Sequence, residues 1–279
     1  MAKRTAESYL QIHLPERWPD DERVRWSRRA GGRMEDGVCA VHEVPSADEI
    51  AVVVPAARVA FARASLPRGP VAKLARLAPF AIEDAIAPSP ESVCTALVRH
   101  LGEGEWLVAV VDRDWLDHAL AKLAAEGAEP DRVIVESALV PCEPGSWTVV
   151  WNGSGGFAVL DGGEAIALDA SVDGRPPLVL KLAADERRGR ADAPRSVRVL
   201  AAGAAELPNL AQWSESLHAP VSAAGRWQPE AIDARRITTA DLLADTGGPA
   251  WGDSGWLARL RPAALIAGCL LYTSDAADE

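Results

Sequence analysis

The chain has 279 residues, of which 48% are hydrophobic and 25% charged, an ordinary globular composition that allows one large domain or two of usual size. Its 29 basic and 40 acidic residues give a net charge of −11. This balance excludes nucleic acid as the main partner, because phosphate binding needs a basic surface.

The first half of the chain predicts strands that alternate with helices. Strand patterns occur in SYLQIHL, in two segments around Pro55 (EIAVVV and ARVAFARASLP), in VCTALVRHL, in EWLVAVVD and in DRVIVES. PVAKLARLAPFAIEDAIA predicts a helix that begins at Pro70 and is kinked at Pro79. DRDWLDHALAKLAAEG predicts a second helix, ended by Gly127. This strand–helix–strand unit predicts a sheet that is partly parallel.

The second half changes its pattern. WTVVWNGSGGFAVLDGGEAIALD predicts a meander of three strands with glycine-rich turns. PLVLKLA and SVRVLAA predict further strands, and AAELPNLAQWSESL contains a short helix. ADLLADTGG then predicts a short helix that leads into a glycine-rich linker.

Motifs for cofactor or metal chemistry are missing from the sequence. There is no G-x-x-x-x-G-K-[ST] loop, the five histidines lack metal-ligand spacing, and the four cysteines form no C-x-x-C pair. Gly153, Gly155 and Gly156 lie between two strands, so we interpret them as a hairpin turn rather than a dinucleotide fingerprint. We therefore predict no cofactor, no metal and no catalytic residue.

The string GDSG around Ser254 resembles the nucleophile segment of trypsin-like proteases. Trp256 follows it where those enzymes have another glycine, and the segment lies in a linker. A nucleophile also needs a base that a third group orients. Nothing in the sequence brings His100 and Asp112 near Ser254, so we reject this interpretation.

The helix that begins at Pro70 has an unfavourable charge order. Lys73 and Arg76 lie near its start, and Glu83 and Asp84 lie near its end, which opposes the helix dipole at about 0.3–1 kcal/mol for each exposed charge. Two interpretations stay open: neighbouring charges compensate, or the acidic end serves a basic partner. Because of the second, Glu83 and Asp84 are our candidate partner-binding residues.

A family resemblance appears at these residues. LARLAPFAIEDAIA resembles the motif around Pro79, Phe80, Glu83 and Asp84 in the L protein of the type II secretion system (GspL). The helix and strand from WLVAVVD to ESALVP are similar to the next family segment, and the meander to the one after it. Asp161-Gly162-Gly163 departs from the Arg-Thr-Gly usual in that family's turn, and ADLLADTG is a degraded form of NLLQGE. The resemblance runs from about Val52 to Leu271.

The resemblance implies a mixed α/β, actin-like fold of two RNase H-like lobes with an inserted subdomain. It implies a scaffold of the inner-membrane platform that docks the N-terminal domain of the secretion ATPase (the E protein) and pairs with the M protein, and we expect a homodimer. The alternative is an active actin-like nucleotide-binding protein related to the pilus M-type assembly proteins. Active relatives hold phosphate with Asp-x-Gly turns in both lobes. SYLQIHLPERWPDD lacks the first of them, and Asp161-Gly162-Gly163 resembles only a remnant of the second.

The C-terminal segment resembles the start of the family's membrane helix. Pro262 to Leu271 is an uncharged run of ten residues, whereas spanning needs about 20. Arg259 and Arg261 follow the positive-inside rule, and Trp256 suits a membrane interface. We therefore predict a membrane helix that is cut off midway, followed by a non-native tail, YTSDAADE. The alternative is a complete soluble protein with a short C-terminal helix.

The predicted organisation has five parts. They are a first lobe at 1–145 with the inserted subdomain near 66–104, a second lobe at 146–247, a juxtamembrane linker at 248–261, the truncated membrane helix at 262–271 and the tail at 272–279.

Overall fold

The structure is a computed structural model that describes residues 7–243. Within this range the chain forms 13 strands and four α-helices. The strands are β1 (Ser8–His13), β2 (Arg23–Ala30), β3 (Arg33–Ala40), β4 (Glu49–Val54), β5 (Ala60–Ser65), β6 (Val93–Gly102), β7 (Glu105–Asp112), β8 (Arg132–Val135), β9 (Ser146–Trp151), β10 (Gly156–Val159), β11 (Ala165–Leu168), β12 (Ser196–Ala202) and β13 (Val221–Trp227). The helices are α1 (Val71–Ala81), α2 (Arg113–Ala125), α3 (Leu178–Glu186) and α4 (Leu210–Leu217). None of the helices between residues 7 and 243 has the length and hydrophobicity needed to cross a membrane.

Two five-stranded sheets share one topology. The first has the order β3-β2-β1-β4-β8 and the second the order β11-β10-β9-β12-β13. In each sheet, the first three strands in sequence form an antiparallel meander. The fourth strand pairs in parallel with the first, and the fifth pairs in parallel with the fourth. Two copies of this order are the two RNase H-like lobes of an actin-like fold. The predicted mixed α/β class and two-lobed architecture are therefore confirmed.

A third sheet with its own helix is inserted between β4 and β8. Its antiparallel order is β5-β7-β6, and α1 packs against it. Helix α2, which follows β7, covers the outer face of the first sheet through Leu116, Leu120 and Leu123. The long connection between two parallel strands of the first lobe thus contains a complete small subdomain.

The two large sheets face each other across an apolar layer. Tyr9, Val53 and Ile134 from the first sheet pack in one cluster with Phe157 and Trp227 from the second. Helices α3 and α4 cover the opposite face of the second sheet. The order of layers is therefore α2, first sheet, second sheet, and then α3 with α4.

Residues 228–243, here called the closing strap, run from the second lobe back across the first. The side chain of Gln11 donates to Pro229 O at 3.1 Å and accepts from Ala234 N at 3.3 Å. The Arg132 guanidinium forms an ion pair with Asp241 at 3.2 Å. Ala240 N donates to Leu97 O of the inserted sheet. The strap therefore contacts both the first lobe and the inserted subdomain.

The structure corrects some predicted elements. PLVLKLA is helix α3, not a strand: Leu180, Ala183 and Ala184 are buried at helical spacing, and Asp169 accepts hydrogen bonds from the first two amides of the helix. A short apolar run fits either structure. Strands β2, β3 and β13 were not predicted. The segment ADLLADTGG lies mostly outside the described residues.

Candidate functional site

Helix α1 is attached to the inserted sheet by one face. Leu74, Ala75 and Ala78 are buried, as is Ile82, the residue that caps its end. Pro79 lies inside the helix, which stops at Ala81. The predicted helix continued further, but without a Pro79 N–H one backbone hydrogen bond is missing near this end. The chain instead forms a 3-10 turn at Glu83–Ala85.

The opposite face of α1 exposes large apolar side chains. Phe80 is 62% exposed, and Leu77 is 37% exposed. These two residues are three apart, so they are neighbours on the helix surface. Exposed aromatic residues next to charged ones are typical of interface anchors. Leu77, Phe80, Glu83 and Asp84 are called the α1 surface below.

The charges around the α1 surface form no ion pair with the part of the chain that the structure describes. Glu83 and Asp84 are exposed in the turn that follows α1, and Lys73 and Arg76 are exposed nearer its start. Among residues 7–243, none of these four forms an ion pair within 4 Å. Direct ion pairing therefore does not compensate these charges within residues 7–243, and the assignment of Glu83 and Asp84 to a partner stays a prediction.

A groove of about 720 Å³ begins beside the acidic turn. Ala85 and Ile86 line one side of it, and Phe61 and Trp115 line another. The Arg58 guanidinium lies 5.2 Å from the centroid of the Trp115 ring. The acidic turn therefore separates two apolar surfaces, the exposed face of α1 and this groove.

The other candidate residues have structural roles or lie outside the described range. Asp112 caps α2 by accepting a hydrogen bond from Trp115 N at 2.7 Å, and the His100 ring packs edge-on against Trp106 at 5.1 Å. The membrane-flanking candidates and the remaining nucleophile candidate are outside residues 7–243: Ser254, Trp256, Arg259 and Arg261.

The glycine-rich turns of the second lobe are closed by hydrogen bonds within each turn. Asn152 Oδ1 accepts from the amides of Ser154 and Gly155 in the hairpin between β9 and β10, as the interpretation of this segment predicted. In the next turn, Gly163 N donates to Leu160 O at 3.0 Å. Gly162 and Gly163 both have positive φ, near +97° and +92°, which explains why glycine stands at these positions.

One carboxylate lies where the lobes meet. Glu136 accepts hydrogen bonds from Ala56 N at 3.1 Å and from the Trp227 indole at 3.4 Å. Burial raises the pKa of this carboxyl, while the hydrogen bond from Ala56 opposes the rise. Glu136 therefore connects the end of the first lobe to the last strand of the second. Across residues 7–243, no group of three or more His, Cys, Asp or Glu side chains could hold a metal ion.

Sequence comparisons give one consistent family. The sequence model of "Type II secretion system (T2SS), protein L" matches residues 20–181. A type II secretion system protein L from Pectobacterium carotovorum subsp. carotovorum is 26% identical over 140 residues. That match covers 50% of this chain and 33% of the relative's length, so the chain corresponds to only part of that protein.

Two solved structures resemble this fold. The cytoplasmic domain of EpsL, described as an inner membrane component of the type II secretion system of Vibrio cholerae, is 22% identical with a TM-score of 0.53. The likeness covers 79% of this chain and 88% of that one. A Bacteroides thetaiotaomicron protein with an actin-like ATPase fold and unknown function is 9% identical with a TM-score of 0.45, covering 82% of this chain and 94% of that one.

Proposed function

This chain belongs to the type II secretion system protein L family, and we propose that it is a scaffold of the inner-membrane platform whose cytoplasmic region docks the secretion ATPase. Family membership assigns the chain to type II secretion. The likeness to the EpsL cytoplasmic domain concerns the fold, and that protein's description as an inner membrane component supports the proposed location.

The α1 surface is the observation that carries the docking proposal. It combines an exposed aromatic side chain, Phe80, with two carboxylates that have no ion pair in the described range. It also lies inside the segment that the family model matches. The partner that fits is an apolar surface with basic residues at its edge. We assign that partner to the N-terminal domain of the secretion ATPase.

The membrane contacts belong to the C-terminal part of the chain. In this proposal Arg259 and Arg261 are the cytoplasmic-side charges and Trp256 the interfacial aromatic residue that flank a membrane helix. Pairing with the M protein and homodimer formation complete the set of proposed partners. The full-length gene product should fractionate with the membrane. A full-length product that fractionates as soluble would contradict the anchor.

We propose that the actin-like fold acts here without enzymatic turnover. The apolar layer between the sheets supports this, because side chains from both lobes pack together there. Phosphate release with magnesium-ATP should stay at background. Turnover that disappears in Asp161→Ala would contradict the scaffold proposal and support the alternative, an actin-like nucleotide-binding protein.

Docking is tested by calorimetric titration of the purified chain with the N-terminal domain of its cognate ATPase. We expect saturable one-to-one binding. A parallel titration with ATP separates the two functions. Binding heat in the titration with the ATPase domain, but not in the titration with ATP, supports the scaffold. Heat from ATP alone supports the alternative and overturns the docking proposal.

A further inference from the structure

Strands β2 and β3 form a hairpin that is rich in arginine within an acidic chain. It contains five of the 29 basic residues: Arg23, Arg25, Arg28, Arg29 and Arg33. Arg29 pairs directly across from Tyr9 of β1, so both side chains lie on the face that the second lobe and the closing strap cover. Arg28 lies on the other face, beside Glu35 at 3.5 Å.

A recess of about 330 Å³ opens at the turn of this hairpin, with Arg29, Arg33 and Arg235 around it. It is called the hairpin recess below. Gly31 and Gly32 form its backbone wall with φ near +55° and +77°, and no atom lies within 4 Å of where a Cβ would stand. A ligand can therefore approach the backbone of the turn closely.

Arg29 has a donor that no residue in the described range accepts from. Its Nη2 donates to Glu230 O at 2.6 Å. Its Nη1 is buried and makes no hydrogen bond with any residue in the described range. Buried donors of this kind nearly always have an acceptor. The strap thus fixes the guanidinium in place, and because Nη1 is closed to solvent, Arg29 acts on a ligand in the recess through its positive charge.

The other two arginines are also available for a ligand. Arg235 is held by Asp233, which accepts from its Nε at 3.0 Å and its Nη2 at 2.8 Å, and its guanidinium lies 4.8 Å from the centroid of the Tyr9 ring. This leaves Nη1 of Arg235 outside the bidentate pair. Arg33 is exposed and has no ion pair among residues 7–243.

We propose that the hairpin recess binds a phosphate-class oxyanion, either free phosphate or a phosphomonoester. Three guanidinium groups from β2, β3 and the strap suit a tetrahedral anion with several oxygens better than a planar carboxylate, which one arginine satisfies in a bidentate pair. Glu7 also lines the recess. Its carboxylate repels an anion, so the affinity is set by a balance of Glu7 against the three arginines.

The pH dependence of binding distinguishes this site from simple charge attraction. Arginine stays protonated at all relevant pH values, whereas phosphate gains its second negative charge with a pKa of about 6–7. Affinity should therefore rise between pH 6 and pH 8. Glu7→Gln should tighten binding several-fold at constant ionic strength, since it removes a negative charge near the ligand.

The test is an NMR titration of the whole chain with inorganic phosphate, in which chloride keeps the ionic strength constant. We expect saturable shifts of the Gly31 and Gly32 amides. Arg33→Gln should weaken binding about tenfold through loss of a charge-assisted hydrogen bond. Arg28→Gln is the matched control on the opposite face and should leave the affinity unchanged.

A second arm uses glycerol 3-phosphate, a soluble phosphomonoester. Tighter binding of this ligand identifies a phosphomonoester as the natural source, and equal or weaker binding identifies free phosphate. Arg29→Gln should also abolish binding; if that variant does not fold, Arg33→Gln decides. The proposal is overturned if neither ligand gives saturable shifts, or if Arg33→Gln and Arg28→Gln change the affinity equally.

Discussion

The two lobes repeat one strand order but differ in what their crossovers contain. In the second lobe, α3 and α4 connect β11, β12 and β13 and cover a core that includes Trp147, Trp151 and Trp213. In the first lobe, the connection from β4 to β8 contains the inserted sheet, α1 and α2. The repeated sheets supply the scaffold, and the enlarged crossover of the first lobe presents the α1 surface. In the docking proposal, fold and function are therefore carried by different parts of the chain.

The largest effect is expected in the core of the second lobe. Trp213 is fully buried, packs edge-on against Trp151 at 5.2 Å, and donates to Gly174 O at 3.1 Å. Trp213→Ala should lower the free energy of unfolding by about 3–5 kcal/mol, since it creates a large cavity. Urea unfolding followed by circular dichroism measures this. A loss below about 1 kcal/mol would show that α4 is not part of the cooperative core.

The closing strap is expected to contribute less. Arg132 forms the ion pair with Asp241, and its guanidinium also donates to Ala234 O at 3.1 Å and to Ile237 O at 2.5 Å. Arg132→Met should cost about 1–3 kcal/mol because these acceptors are left partly buried. Hydrogen exchange should rise first at the amides of Ala240 and Leu242, which donate to Leu97 O and Val133 O. The exposed Arg68→Met is the control. Equal hydrogen exchange at these amides in both variants would contradict the role of Arg132 in holding the closing strap against the first lobe.

A smaller effect, which depends on pH, comes from His13 beneath the strap. Burial lowers its pKa from 6.5 to about 3, and Arg25 and Arg29 add to the decrease. The folded state then binds fewer protons than the unfolded state below pH 6.5, so stability falls as the pH falls from about 6.5 towards 3. Between pH 6.5 and 5.5 the loss should be about 1 kcal/mol.

His13→Gln removes this titration and tests its origin. The substitution keeps an acceptor near the Gln11 amide, which lies 2.9 Å from His13 Nε2. The variant should lose less stability than the parent between pH 6.5 and 5.5. Glu136, whose raised pKa makes the folded state gain protons first as the pH falls, acts in the opposite direction and equally in both proteins. Identical pH profiles would rule out His13 as the source.

The smallest effect on stability is expected on the α1 surface. Phe80→Ala removes a side chain that is 62% exposed, so the free energy of unfolding should change by less than about 0.5 kcal/mol. The same chemical change at Phe157, which is 6% exposed in the layer between the lobes, is the matched control and should cost about 3–5 kcal/mol. Comparable losses would mean that Phe80 is a packing residue and not a docking residue.

Much of the fold could be predicted from the sequence where its pattern was periodic. Strand β1, the apolar runs of β4 and β9 and the capped helix α2 follow directly from their residues. β2 and β3 could not be predicted in this way, because most of their side chains are polar and their pairing depends on β1. The strand prediction for PLVLKLA was wrong because a short apolar run fits a strand or a helix. Its Leu, Lys and Ala residues favour the helix, which packs on the second sheet.

The candidate site was also only partly predictable from the sequence. The charge order along α1 could be seen in the sequence, and so could Glu83 and Asp84. The exposure of Phe80 could not, because Leu77 and Phe80 have the same apolar character as their buried neighbours. The hairpin recess also required the structure, since Arg235 is about 200 positions from Arg29 and Arg33 along the chain.

The docking claim is tested most directly by a calorimetric titration of the cognate ATPase N-terminal domain into two charge-reversal variants. Glu83→Lys with Asp84→Lys changes the α1 surface. Asp20→Lys with Asp21→Lys changes an exposed acidic pair on the first lobe by the same charge. We predict that the first variant keeps the parent's melting temperature and binds at least about tenfold more weakly, about 1.4 kcal/mol, whereas the second binds like the parent. Unchanged affinity in a folded Glu83→Lys, Asp84→Lys variant would contradict the assignment of the docking site to the α1 surface.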